Sequence, residues 1–192
     1  SAFGNTTTGN QLTVSGVTGT LAAAYGAQTA GPAGGSVNNK VTVAGTGTGS
    51  IANVYGGAVT NAANGGNVTG NTVTITGGKV TGSIYGGYTA GSGKTTGNAV
   101  NIGDGSAATL AAGTNLDNAV LYGGNKADDV TGNTLNVMVK DAKAQKAQNF
   151  ENYTFHLTDH IAANKPKSGT IDDTFTRNTG TMLTLANGFD GQ

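Results

Sequence analysis

The stretch Gly70-Asn71-Thr72-Val73-Thr74-Ile75 decides how this chain is read, because it recurs. Gly9-Asn10-Gln11-Leu12-Thr13-Val14 and Asn38-Asn39-Lys40-Val41-Thr42-Val43 precede it. Gly97-Asn98-Ala99-Val100-Asn101-Ile102 and Gly132-Asn133-Thr134-Leu135-Asn136-Val137 follow it. The anchoring asparagines, Asn10, Asn39, Asn71, Asn98 and Asn133, stand 29, 32, 27 and 35 residues apart. Between them lies a second marker: Tyr25-Gly26, Tyr55-Gly56-Gly57, Tyr85-Gly86-Gly87 and Tyr122-Gly123-Gly124, spaced by 30, 30 and 37. Two independent markers on one period of about 30 residues identify a repeat architecture.

Within each unit Leu12/Val14, Val41/Val43, Val73/Ile75, Val100/Ile102 and Leu135/Val137 alternate with Thr13, Thr42, Thr74, Asn101 and Asn136. That is the period-2 pattern of a strand with one buried face, written in the β-branched residues such a surface favours. Gly/Asn clusters bound each run and supply positive φ for turns. A sandwich of hairpins also makes short strands, but it gives no reason for the same strand to return every ~30 residues with equivalent neighbours. A coiled stack does, with equivalent strands parallel and in register about 4.8 Å apart. The reading is therefore all-β, a parallel β-solenoid. Leu12, Val41, Val73, Val100 and Leu135 form one interior ladder, and Val14, Val43, Ile75, Ile102 and Val137 a second. Val41, Val73 and Val100 point inward, while Thr42, Thr74 and Asn101 point outward. The 37-residue step from Tyr85 to Tyr122 is accommodated by a loop at a corner, which could be cut out without loss of the fold. Five or six coils make an object only about 25–30 Å long, which reads as part of a longer array.

Composition fits an extracellular surface. No acidic residue occurs from Ser1 to Gly103, where Lys40, Lys79 and Lys94 are the only bases, so this half must face water with Thr, Asn, Ser and Gly. The zero net charge gives no steering toward nucleic acid, and no apolar run approaches the length of a membrane span. Cysteine is absent, which excludes disulfide frameworks, thiolate zinc sites and cysteine nucleophiles. If the protein is exported, its targeting segment lies outside this sequence.

After Val137 the composition shifts. Met138 to Gln148, with Lys140, Lys143 and Lys146 among alanines, reads as a helical turn or an exposed, solvated loop. Tyr153, Phe155 and Leu157 alternate as in a strand, as does Thr181 to Leu185, with a polar loop from Asp159 to Gly180 between them. The division drawn is 1–148 for the solenoid repeats and 149–192 for strands and a long loop that continue or cap the same stack. The unit Gly-Asn-x-Val-Thr-Ile, its Gly-rich turn and Ile84-Tyr85-Gly86-Gly87 resemble the passenger region of bacterial type V autotransporters. Asn149-Phe150 and Tyr153-Thr154-Phe155, paired with Met182-Leu183-Thr184-Leu185, are similar to segments in the later part of such passengers. This likeness covers nearly the whole chain and rests on low-complexity motifs. It implies a right-handed parallel β-helix, exported through a carboxy-terminal barrel absent here and displayed at the bacterial surface, tethered to the outer membrane. It also implies adhesion, with a host-cell or bacterial surface protein or glycan as partner. No binding residue of the family maps onto this chain.

Chemistry-bearing constellations are sparse. His156 and His160 flank Asp159, but the first sits in a strand-like run and no Glu stands beside it as a zinc-protease motif needs. No Gly-x-Ser-x-Gly elbow occurs, and Gly91-Ser92-Gly93 and Gly103-Asp104-Gly105-Ser106 read as turns. Asp128-Asp129 and Asp172-Asp173 are adjacent pairs, whose neighbours on a strand would face opposite ways. No catalytic residue, metal site or cofactor is assigned, and an enzyme that degrades polysaccharides is the least favoured reading. The candidate partner-binding residues are Tyr25, Tyr55, Tyr85 and Tyr122, which stack as a column if the register holds. Such a column is either a flat aromatic strip for sugars or proteins, or corner packing where the Gly pair turns the chain. Sequons beginning at Asn5, Asn67 and Asn152 are expected by chance in so Asn/Thr-rich a chain. Two function classes follow: an adhesin or its structural shaft, and a self-assembling filament or surface-layer subunit that associates through its ends.

Overall fold

The computed structural model describes residues 6–63, 65–140, 142–155 and 183–184. Five coils follow one another. The first holds β1 (Thr7–Thr8), β2 (Gln11–Val14), β3 (Thr20–Tyr25) and β4 (Gln28–Thr29). In the second are β5 (Ser36–Val37), β6 (Lys40–Val43) and β7 (Ser50–Val59), and in the third β8 (Val68–Thr69), β9 (Thr72–Ile75) and β10 (Ser83–Thr89). The fourth has β11 (Thr95–Thr96), β12 (Ala99–Ile102) and β13 (Val120–Gly124). Last come β14 (Thr134–Val137), β15 (Lys143–Ala144) and β16 (Lys146–Gln148), then β17 (Asn152–Phe155) and β18 (Leu183–Thr184). The chain is a parallel β-solenoid.

Three sheets form its walls, in the orders β1-β5-β8-β11, β3-β7-β10-β13-β16 and β2-β6-β9-β12-β14-β17, with every pairing in them parallel. The third wall carries the repeated motif. Leu12, Val41, Val73, Val100 and Leu135 are paired in register, as are Val14, Val43, Ile75, Ile102 and Val137. Val41, Val73 and Val100 are buried, while Thr42, Thr74 and Asn101 lie on the outer face at intermediate exposure. Both ladders are topped by Tyr153 and Phe155 of β17, which pack on the core.

Corners follow from backbone chemistry. The residue two positions before the third-wall strand takes a left-handed conformation in every coil, at Gly9, Asn38, Gly70, Gly97 and Gly132. Glycine adopts it without a Cβ penalty, and asparagine is the side chain that tolerates it best.

Two expectations change. Met138 to Gln148 is neither helix nor free loop: β16 pairs with β13, and Val139, Ala142 and Ala144 are buried while Lys140 and Lys143 stay exposed. The lysines mark the wet side of a segment whose alanines are small enough to close the coil. The insertion from Ser106 to Asn118 is also knitted into the stack. Ala111 and Asn115 donate their backbone N–H groups to the carbonyls of Thr76 and Gly78, Val80 N–H donates to Asn115, and Leu116 is buried. Excising it would unpair a corner.

Candidate binding face

The second wall displays the tyrosines. Ala24, Val54, Ile84 and Leu121 are buried, so the residue after each must face out. Register pairs Tyr25 with Tyr55, Tyr55 with Tyr85 and Tyr85 with Tyr122. Successive ring centroids are 4.7, 5.2 and 4.7 Å apart, with interplanar angles of 7°, 9° and 11°. The sequence-predicted residues are thus brought together in one slipped stack, within the range of favourable aromatic pairs. It is not a flat strip. The rings are turned face to face along the solenoid axis, so what they present to solvent is edges and hydroxyls.

Why a glycine pair follows each of these tyrosines is explained on the inner side. Asn39, Asn71, Asn98 and Asn133 are fully buried and point into the stack. The backbone N–H and Nδ2 of Asn10 both donate to Asn39 Oδ1, at 3.0 and 2.9 Å. Asn39 repeats this toward Asn71, Asn71 toward Asn98 and Asn98 toward Asn133. Each buried carboxamide also donates sideways to a carbonyl of the first wall: Thr7, Ser36, Val68 or Thr95. Buried amides must find such partners, and here they tie coil to coil and wall to wall. The ladder occupies space that a side chain on the second wall would need. A Cβ on Gly57 would fall 2.5 Å from Asn71 Oδ1, and one on Gly87 2.6 Å from Asn98 Nδ2. The two sequence markers are one device, and the Gly pairs lie within strands β7 and β10 rather than at a corner.

Sequence reasoning missed a fifth ring. Tyr88 packs edgewise on Tyr55 and Tyr85, at 5.5 and 5.4 Å with angles of 78° and 69°. It pairs with Ala58, whose side chain is fully buried. The signal was the second tyrosine of Tyr85-Gly86-Gly87-Tyr88: two consecutive inward glycines reset the alternation, so both flanking tyrosines face out. Burial, then the neighbouring Tyr25, Tyr85 and Tyr88, push the Tyr55 hydroxyl up to about 12, and burial, then Tyr85, raise that of Tyr122. Both phenols therefore stay protonated donors at neutral pH.

Elsewhere Asp104 accepts hydrogen bonds from the Ser106 N–H and hydroxyl, a local turn that lowers its pKa and engages the serine. Ser92 is exposed in a bend. Thr109, Leu110, Leu116, Asp117, Lys140 and Lys143 border an open hollow of about 360 Å³ beside the insertion. Among the described residues no three His, Cys, Asp or Glu side chains group as metal ligands. His156, Asp159, His160, Asp172, Asp173 and the 159–180 loop lie outside the described residues. Compared with models of known protein families, with curated proteins and with solved structures, the chain matches none.

Proposed function

We propose that this chain is a stretch of an exported, surface-displayed passenger of an autotransporter-like adhesin, serving attachment or acting as its shaft. One observation carries the reading: a solid solenoid whose interior is filled by its own ladders, with rows of uncharged Thr, Asn and Tyr on its outer walls. An interior packed this way offers recognition only on its sides. The test is attachment of beads coated with the protein to a panel of epithelial cells and bacteria. Attachment above that of beads carrying an unrelated protein of similar size is expected; none across the panel would leave a shaft and sink the adhesive role.

The filament reading draws on a different observation. Among the described residues, β1, β2 and β3 each pair on one side only, and Leu21 is the exposed large apolar side chain. At the opposite end the ladder stops, because Asn133 donates to the Val130 and Asn149 carbonyls and Phe150 fills the space above. With its hydrogens so engaged, Asn133 has none to give Asn10 of a second copy, which weighs against the head-to-tail stacking that a filament needs. Sedimentation of the purified protein across a concentration series separates the readings, with fibres favouring the filament.

A further inference from the structure

We infer that the tyrosine column is a register-matched binding strip for an extended, uncharged, β-linked glycan lying along the solenoid axis. The inference rests on the attachment reading above and names its ligand class. Among the described residues, the hydroxyls of Tyr25, Tyr55, Tyr85, Tyr88 and Tyr122 make no hydrogen bond. Four of them belong to rings that recur at 4.7, 5.2 and 4.7 Å. An extended β-1,4-linked pyranose polymer advances by about one such step per sugar and, because successive sugars are turned over, presents the same edge to every second ring. Tyr88, turned 69° and 78° to its neighbours, supplies an aromatic surface running along the column for the C–H face of a sugar.

Other occupants fit less well. Charge disfavours an acidic polymer or nucleic acid, because Ala23, Asn53, Ser83 and Val120 stand in line beside the tyrosines and the one cation of that row is Lys146, at its end. A peptide strand repeats on one side about every 6.6 Å and falls out of step with the rings. For a second copy of this chain the wall is too small. Five strands about 4.8 Å apart and some six residues wide give about 500 Å² per partner, against about 800 Å² in stable interfaces. What remains is a narrow neutral polymer with hydroxyl chemistry.

Calorimetric titration of the whole chain with cellohexaose tests this, with maltohexaose, whose α-links coil, and polygalacturonate as comparisons. Cellohexaose is expected to bind and the other two to bind at least tenfold more weakly. The Tyr55→Phe/Tyr85→Phe variant keeps the rings and removes two hydroxyls, so cellohexaose affinity should fall about tenfold with an unchanged circular dichroism spectrum. No binding of cellohexaose, equal binding of maltohexaose, or unaltered affinity in the double variant would overturn the inference. Beads that attach to cells while cellohexaose fails to bind would end it and leave the attachment reading standing. Cellohexaose binding without any bead attachment would do the reverse.

Discussion

Asn71 bonds in three directions: its Oδ1 accepts from Asn39, its N–H and Nδ2 donate to Asn98 Oδ1, and its Nδ2 donates to the Ser36 carbonyl. Removing the carboxamide strands buried donors and acceptors on both neighbouring coils. Asn71→Ala should cost about 3 kcal/mol or more in urea unfolding, whereas Asn10→Ala at the exposed edge should cost under about 1 kcal/mol. The same residue sets the limit on Gly57, whose added methyl would meet the Asn71 carboxamide and the Ser36 hydroxyl. Gly57→Ala alone should destabilise by about 1–3 kcal/mol. Combined with Asn71→Ala it should cost less than the two changes summed, by about 1 kcal/mol, because the methyl then has space and the serine hydroxyl can rotate. Strict additivity in that cycle would mean the glycine is kept for another reason.

Strand β9 states the inside–outside rule in four residues, Thr72, Val73, Thr74 and Ile75, with both aliphatics at 0% exposure. Val73→Asp puts a carboxylate between Val41 and Val100 and should cost about 4 kcal/mol or more in thermal unfolding, while Thr74→Asp should stay within about 1 kcal/mol. These ladders were legible because alternation fixes which side of a strand is buried and repetition fixes the register. The column of Tyr25, Tyr55, Tyr85 and Tyr122 was legible for the same second reason. The asparagine ladder was not: a Gly-Asn pair beside a strand has the same local chemistry whether its amide faces water or the core. Nor was β16, since Lys140, Lys143 and Lys146 outweigh in composition the small alanines that close the coil. The column also has a pH signature. Tyr55 titrates near 12 in the fold against an unfolded value of 10.0, so its stabilising contribution is complete below pH 10 and is lost as pH rises through 12. Thermal midpoints should fall over that alkaline window, and Tyr55→Phe should lessen the fall. Tyrosinate absorbance that develops in one step at the unfolded value, with the fold intact, would contradict this.

At the scale of the molecule, each coil contacts its neighbours above and below, so stability accumulates by nearest-neighbour terms. Edge coils should open before central ones. Amides of Gln11–Val14 should exchange with solvent on the order of a hundredfold faster than those of Thr72–Ile75, measured by hydrogen–deuterium exchange in peptides. Uniform protection along the stack would indicate a single cooperative unit instead. The asparagine ladder points one way, each amide giving its hydrogens to the next coil toward the carboxy terminus. A coil turned over would therefore set donor against donor, but one copied in the same sense would meet familiar chemistry on both sides. Tandem copying of residues 71–97 should thus lengthen the rod by a single step of about 4.8 Å while leaving its walls unchanged. The molecule is graduated like a ruler, and its reach can be altered by whole divisions without redesigning any of them.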